Sequence, residues 1–221
     1  MARTAAGLFL DLDGTLADSL PVMRTAYDRF LDHFGGTGSD AEFASLIGPP
    51  LKQVVSTLAV THQLSPPTEE LLATYWDVVS AAYQDVVPNP GAGDLLETAR
   101  RLGLRTGLVT SSSVDLARDW LRRVALLEMV DTVVGGDETS RGKPDPQPYL
   151  LALKRTECKA DQSLAVEDSL SGVRAAMASG IRTFLLSDAQ DRVPSGVVVV
   201  PKLDDVRRFI LENYPGQAGE R

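Results

Sequence analysis

Cysteine is almost absent from this sequence. Cys158 stands alone, so no disulfide can close within the chain and no cysteine-rich metal centre can form. A reducing compartment suits such usage, and a cytoplasmic protein is expected. Histidine is nearly as scarce: His33 and His62 are far apart in sequence and suggest no zinc site. Positive charge is also in deficit. The chain has 22 Lys and Arg against 30 Asp and Glu, a net charge of −8, and no basic cluster, so nucleic acid is not an expected partner. No stretch approaches the roughly 18 apolar residues that a membrane span needs. The apolar run before Asp11 is too short for a signal peptide. No internal repeat or low-complexity tract is visible.

What remains is a globular composition. Hydrophobic residues make up 43% of 221 residues, which fits one α/β domain or one domain carrying a small insert. Short apolar runs that read as buried strands recur at residues 8–10, 106–109, 132–134, 164–166, 183–186 and 197–200. Amphipathic stretches lie between most of them. Leu95, Leu96, Ala99 and Leu102 share one helical face, as do Val114, Ala117, Leu121 and Val124. Near-continuous apolar strands alternating with such helices predict a Rossmann-like parallel sheet covered on both faces.

The segment from about residue 20 to residue 87 breaks that rhythm. It has no convincing strand, and helical spacing appears at 22–34, 51–59 and 69–86. Gly35-Gly36, Gly48-Pro49-Pro50 and Ser65-Pro66-Pro67 punctuate it. We therefore expect a catalytic core from residues 1–17 and 88–221, with an inserted α-helical unit over 18–87. Tyr75, Trp76, Val79 and Tyr83 have helical spacing and are expected to pack inside that unit.

Four fragments carry the chemistry. Asp11 and Asp13, in Asp11-Leu12-Asp13-Gly14-Thr15, follow the first strand. On an extended segment, residues two apart point the same way, which brings both carboxylates together where open α/β sheets bind ligands. Two such charges call for a cation or a proton between them, and Mg²⁺ fits because it takes oxygen ligands. Asp18 and Ser19 read as caps of the following helix. Thr110, Ser111, Ser112 and Ser113 follow the second strand and precede a helix, where hydroxyls and free N–H groups can hold an anion. One of them is expected to cap that helix. Lys143 lies in Gly142-Lys143-Pro144-Asp145-Pro146, whose prolines restrict the backbone. Glu167 and Asp168 end the strand over 164–166. Adjacent carboxylates point apart on a regular strand, so they cannot share one role. Asp168 is expected to bind the metal directly. Glu167 joins the metal shell, with contact through water left open.

The ordered set of four resembles the haloacid dehalogenase superfamily, in its phosphoglycolate phosphatase and β-phosphoglucomutase-like branch, and the resemblance runs from Leu8 to about Phe209. It implies a helical cap in the insert and a Mg²⁺-dependent phosphatase acting on a small phosphorylated metabolite through an aspartyl-phosphate. It further implies that Asp11 is the nucleophile and a metal ligand, and that Asp13 is the general acid and base and binds the metal through its backbone carbonyl. Lys143 then neutralises the nucleophile and the phosphoryl group. One hydroxyl among Thr110, Ser111 and Ser112 grips the phosphoryl oxygens; Thr110 and Ser111 both match the family position, with Ser111 preferred.

Three other readings compete. A phosphosugar mutase would need a cap that holds a second phosphate. Between Asp18 and Val87 the permanent cations are only Arg24, Arg29 and Lys52, against nine carboxylates. A dehalogenase would not need the Glu167-Asp168 pair. A non-catalytic phospho-ligand-binding protein would not need every catalytic side chain. Within the cap, Gly48 and Lys52 are the candidate substrate contacts, in a Gly48-Pro49-Pro50-Leu51-Lys52 loop that looks more like that of phosphoglycolate phosphatase-like members than that of the mutases. A monomer or homodimer is expected.

Overall fold

The computed structural model describes residues 5–47, 49, 51–188 and 193–214. Six strands form one sheet: β1 (Gly7–Leu10), β2 (Arg105–Val109), β3 (Thr132–Val134), β4 (Leu164–Glu167), β5 (Arg182–Leu186) and β6 (Val198–Val200). All neighbours pair in parallel, in the order β3-β2-β1-β4-β5-β6. Each strand coincides with one of the apolar runs in the sequence. The runs are continuous because both faces of the sheet are covered.

Alternation along the strands sorts their side chains between two cores. Leu8, Leu10, Leu108, Val133, Leu164 and Val166 enter one core. It is closed by α5 (Ala92–Arg101), α6 (Val114–Arg123) and α9 (Leu203–Asn213). Phe9, Val109, Val134 and Ala165 enter the other, beneath α7 (Gln147–Thr156) and α8 (Leu170–Ala178). Phe9 is fully buried opposite Gly107, where a Cβ would sit 2.7 Å from the Phe9 ring. The missing side chain on β2 makes room for the ring on β1, and emptying that position would cost about 3–5 kcal/mol.

Between β1 and α5 the chain forms α1 (Leu20–His33), α2 (Asp40–Ser45), α3 (Leu51–Thr61) and α4 (Thr68–Tyr83). No strand of the sheet lies in this segment among the described residues. The fold is thus a parallel α/β core with an inserted α-helical cap. Sequence periodicity missed α2, a six-residue helix with no buried side chain and hence no apolar stripe to read. Pro21 lies in the first turn of α1, where its missing N–H costs nothing.

The cap has its own packing. Phe30 meets Tyr75 edge-on at 4.8 Å between α1 and α4. Tyr27 and His62 both bond the Glu42 carboxylate, which fastens α2 to its neighbours. Two adjacent crossings join cap to core. The Asp18 N–H donates to Val87 O at 2.9 Å, and the Asn89 N–H donates to Leu16 O at 2.9 Å. From the core, Trp120 Nε1 donates to Val86 O at 3.0 Å and Arg123 Nη2 to Tyr83 O at 2.9 Å.

Candidate active site

All four motifs meet at the carboxyl edge of the sheet. β1 lies between β2 and β4, where the strand order reverses direction, and ligands collect at such a point in open α/β sheets. Asp11 follows β1, Thr110 follows β2, and Glu167 ends β4. Lys143 reaches in from the loop after β3, with a cis peptide to Pro144.

Lys143 is the centre of charge. Its Nζ lies 2.5 Å from Asp11 Oδ1, 2.6 Å from Glu167 Oε1 and 2.8 Å from Val109 O. All three side chains are buried. Burial opposes the ammonium charge, but Asp11 and Glu167 outweigh it and hold Lys143 above its ordinary value. Burial pushes the Asp11 carboxyl up; Lys143 opposes this, while Glu167, Asp168 and Asp13 add to it. One cation among this many carboxylates leaves the site short of positive charge. Tyr149 on α7 completes the cluster by donating to Glu167 Oε1 at 2.5 Å.

Asp13 faces elsewhere. The strand ends at Leu10, and Gly14 turns the chain with φ of +78°, so regular alternation does not extend to Asp13. Its Oδ2 accepts from Ser112 Oγ at 3.0 Å, and its Oδ1 accepts from the Tyr83 hydroxyl at the end of α4. Asn89 Nδ2 holds the turn by donating to Thr15 O at 2.7 Å and Gly14 O at 3.1 Å. Ser19 stands at the N-cap of α1 but does not cap it; its Oγ accepts from the Gly14 N–H at 3.2 Å. The expected capping role there gives way to support of the Asp11–Asp13 loop.

The hydroxyl cluster divides its work. Ser113 caps α6 by accepting from the Leu116 N–H. Thr110 is 2% exposed, and its Oγ1 accepts from the Ser112 N–H at 3.0 Å. Thr110, Ser111 and Ser112 all border one cavity with Asp11, Asp13, Lys143 and Asp168. Ser169 caps α8, so Asp168 is not needed for that task.

Three carboxylates fit a divalent cation. One oxygen each from Asp11, Glu167 and Asp168 lies within 4.8 Å of the others. Glu167 Oε2 is buried without a hydrogen-bond partner among the described residues. Burial first, then the Glu167 charge, pushes the Asp168 carboxyl up to about 7. A divalent cation would satisfy both the orphaned oxygen and the carboxylates that resist ionisation, and an all-oxygen donor set suits Mg²⁺. Gly14 keeps the space open, because a Cβ there would fall 2.0 Å from Asp168 Oδ2.

The cavity, of about 380 Å³, extends from these groups to the cap. Lys52, a candidate substrate contact, borders it; Gly48, the other, lies outside the described residues. Tyr75, Trp76 and Val79 also border it, so they do more than pack the cap. Tyr83, Tyr149 and Asn89 were not legible as site residues. Their roles arise from contacts across 70, 18 and about 75 positions, and nothing local marks them.

This geometry agrees with comparison to known proteins. The pattern of the haloacid dehalogenase-like hydrolases matches residues 8–186. The chain belongs to that family. Among family relatives, a phosphorylated carbohydrates phosphatase of Thermotoga maritima is 27% identical over 93% of this chain and 98% of its own. A phosphoglycolate phosphatase of Nitrosospira multiformis is 32% identical over 80% of this chain and 81% of its own. The crystal structure of a β-phosphoglucomutase from Clostridium difficile superposes with a TM-score of 0.83, over 95% of this chain and 97% of that one. At 16% identity it speaks for the shared hydrolase-family fold alone. Among the described residues no helix is long and apolar enough to cross a membrane.

Proposed function

We propose that this chain is a phosphatase that hydrolyses a small phosphomonoester through a phosphorylated Asp11. The observation that carries the reading is the pair of differently supported carboxylates in one cavity. Asp11 is held against the Lys143 ammonium, while Asp13 is held by two hydroxyls. Asp11 attacks phosphorus in line with the leaving oxygen. Asp13 gives its proton to that oxygen, then takes one from the water that cleaves the acyl phosphate. Lys143 opposes protonation of Asp11 and offsets charge on the phosphoryl oxygens.

Ser111 is the preferred hydroxyl for gripping those oxygens, because the Thr110 hydroxyl is buried against the Ser112 N–H. Mg²⁺ would be held by Asp11, Asp168 and the Asp13 backbone carbonyl, with Glu167 beside it. When bound it supplies charge neutralisation and orientation of the phosphoryl group. The division into a core of residues 1–17 and 88–221 and a cap of 18–87 belongs to the same proposal; the cap excludes bulk water.

A mutase is disfavoured by the cap. Lys52 is its one described cation on the cavity, and Arg24 is spent on Asp28 and Asp40. The test is release of phosphate from a generic aryl phosphate in Mg²⁺, lost on chelation and restored by Mg²⁺. Asp11→Asn should lower the rate by more than about a thousandfold while the fold persists. Substantial turnover by a folded Asp11→Asn protein overturns the covalent route, and none by the wild type points to a binding protein.

A further inference from the structure

We propose that the cap side of the cavity receives an apolar leaving group, so that the substrate is an alkyl or aryl phosphomonoester without a second phosphate or carboxylate. This deepens the phosphatase reading and rests on it.

The cavity has two unlike halves. The core half is polar and carries Asp11, Asp13, Ser111, Ser112, Lys143 and Asp168. The cap half is apolar, and every cap helix contributes to it: Met23 from α1, Phe43 from α2, Leu51 and Val54 from α3, Trp76 and Val79 from α4. A volume of about 380 Å³ exceeds what a phosphoryl group and a two-carbon acid would fill, since a water occupies about 30 Å³ of liquid.

Polar partners for a leaving group are few. Lys143 is already matched to Asp11 and Glu167, which leaves Lys52 as the cation on the cap half. A second dianion would need several cations or N–H donors. A sugar would bury hydroxyls against methyl groups and rings, and each unpaired hydroxyl opposes binding. Tyr75 is the exception. It is 3% exposed, and burial pushes its phenol up to about 12, so it remains a neutral donor. One oxygen on an otherwise apolar body would satisfy it. An alkyl chain or aromatic ring gains from every carbon it places against Met23, Phe43, Trp76 and Val79.

The test uses the wild-type enzyme with Mg²⁺ and a series of n-alkyl phosphates from methyl to hexyl. Phenyl phosphate, naphthyl phosphate, 2-phosphoglycolate and glucose 6-phosphate are run beside them. We expect kcat/KM to rise about fourfold per methylene until the cavity is full. Naphthyl phosphate should exceed 2-phosphoglycolate and glucose 6-phosphate by at least about tenfold. A flat or falling series, or preference for either polar substrate, overturns the inference. Binding of n-alkylphosphonates, which are not hydrolysed, is measured by calorimetry in parallel. A Kd that falls with chain length supports the apolar half even if nothing is turned over, in which case the phosphatase reading alone fails. Turnover without chain-length dependence in either assay does the reverse. Trp76→Ala should remove about tenfold of the hexyl-over-methyl advantage, and Trp76→Phe should retain most of it.

Discussion

The Tyr83 hydroxyl donates a hydrogen bond to Oδ1 of Asp13, so the last helix of the cap ends on the side chain proposed as acid and base. Ser112 Oγ, at 3.0 Å, holds the other carboxylate oxygen. Asp13 is therefore aimed from both sides, by the cap through Tyr83 and by the core through Ser112. Tyr83→Phe keeps the ring in its buried place and removes one of the two aims. We expect kcat to fall about tenfold to a hundredfold with KM little changed, since proton transfer demands alignment. Steady-state kinetics distinguish this from a packing role, which would leave kcat intact.

Gly172 limits the buried charge cluster. A Cβ there would lie 1.9 Å from Glu167 Oε2 and 2.0 Å from its carboxyl carbon. Gly172→Ala must displace Glu167 from Lys143. It should lower turnover at least about tenfold and cost about 1–3 kcal/mol in denaturant unfolding. Gly35→Ala is the control. Nothing lies within 4 Å of its Cβ position, but φ is +70°, so it should cost about 1–2 kcal/mol and leave kcat unchanged.

The core was legible in the sequence because fully covered parallel strands must be apolar throughout, and all six such runs became strands. The motif residues were legible because strand ends deliver them to one edge whatever the rest of the chain does. Asp13 departs from the simple picture: the chain leaves the strand at Leu10, so its carboxylate turns towards Tyr83 and Ser112 instead of the Asp11, Glu167 and Asp168 cluster. Tyr149 was not legible because it lies 18 positions before Glu167 and nothing local marks it. The hydroxyl at its tip, bonded to Glu167, has no counterpart in periodicity.

Stability of the metal-free protein should fall as pH rises from about 4 to 7. The Asp168 carboxyl stands at about 7 in the folded chain, against an ordinary 3.8. Between those values the folded state holds a proton that the unfolded state has released, so raising the pH favours unfolding, by about 2–4 kcal/mol across the window. Mg²⁺ binds the ionised form, so it should raise Tm more at pH 8 than at pH 5. Thermal scans with chelator and with Mg²⁺ at both pH values test this, and an equal Mg²⁺ effect at both would refute it.

Lys52 borders the cavity at the start of α3, among cap groups that are mostly apolar. Lys52→Ala should lower kcat/KM on 2-phosphoglycolate about tenfold more than on phenyl phosphate, because only the former presents a second charge to the ammonium. Equal effects on the two substrates would place the lysine outside the path of the leaving group.

The cap's two crossings are sewn to each other as well as to the core. Ala17 bridges Pro88, Asp18 bonds Val87, Asn89 bonds Leu16, and the Asn89 amide spans the turn that follows Asp11 and Asp13. Entry and exit of the insert therefore form one narrow doorway instead of two independent linkers. A helical cassette with paired ends can be lifted out and another set in its place without disturbing the sheet. Exchange of residues 20–82 for the corresponding segment of a relative, with Ser19 and Tyr83 kept in place, should transfer leaving-group preference while the phosphoryl chemistry stays where it is.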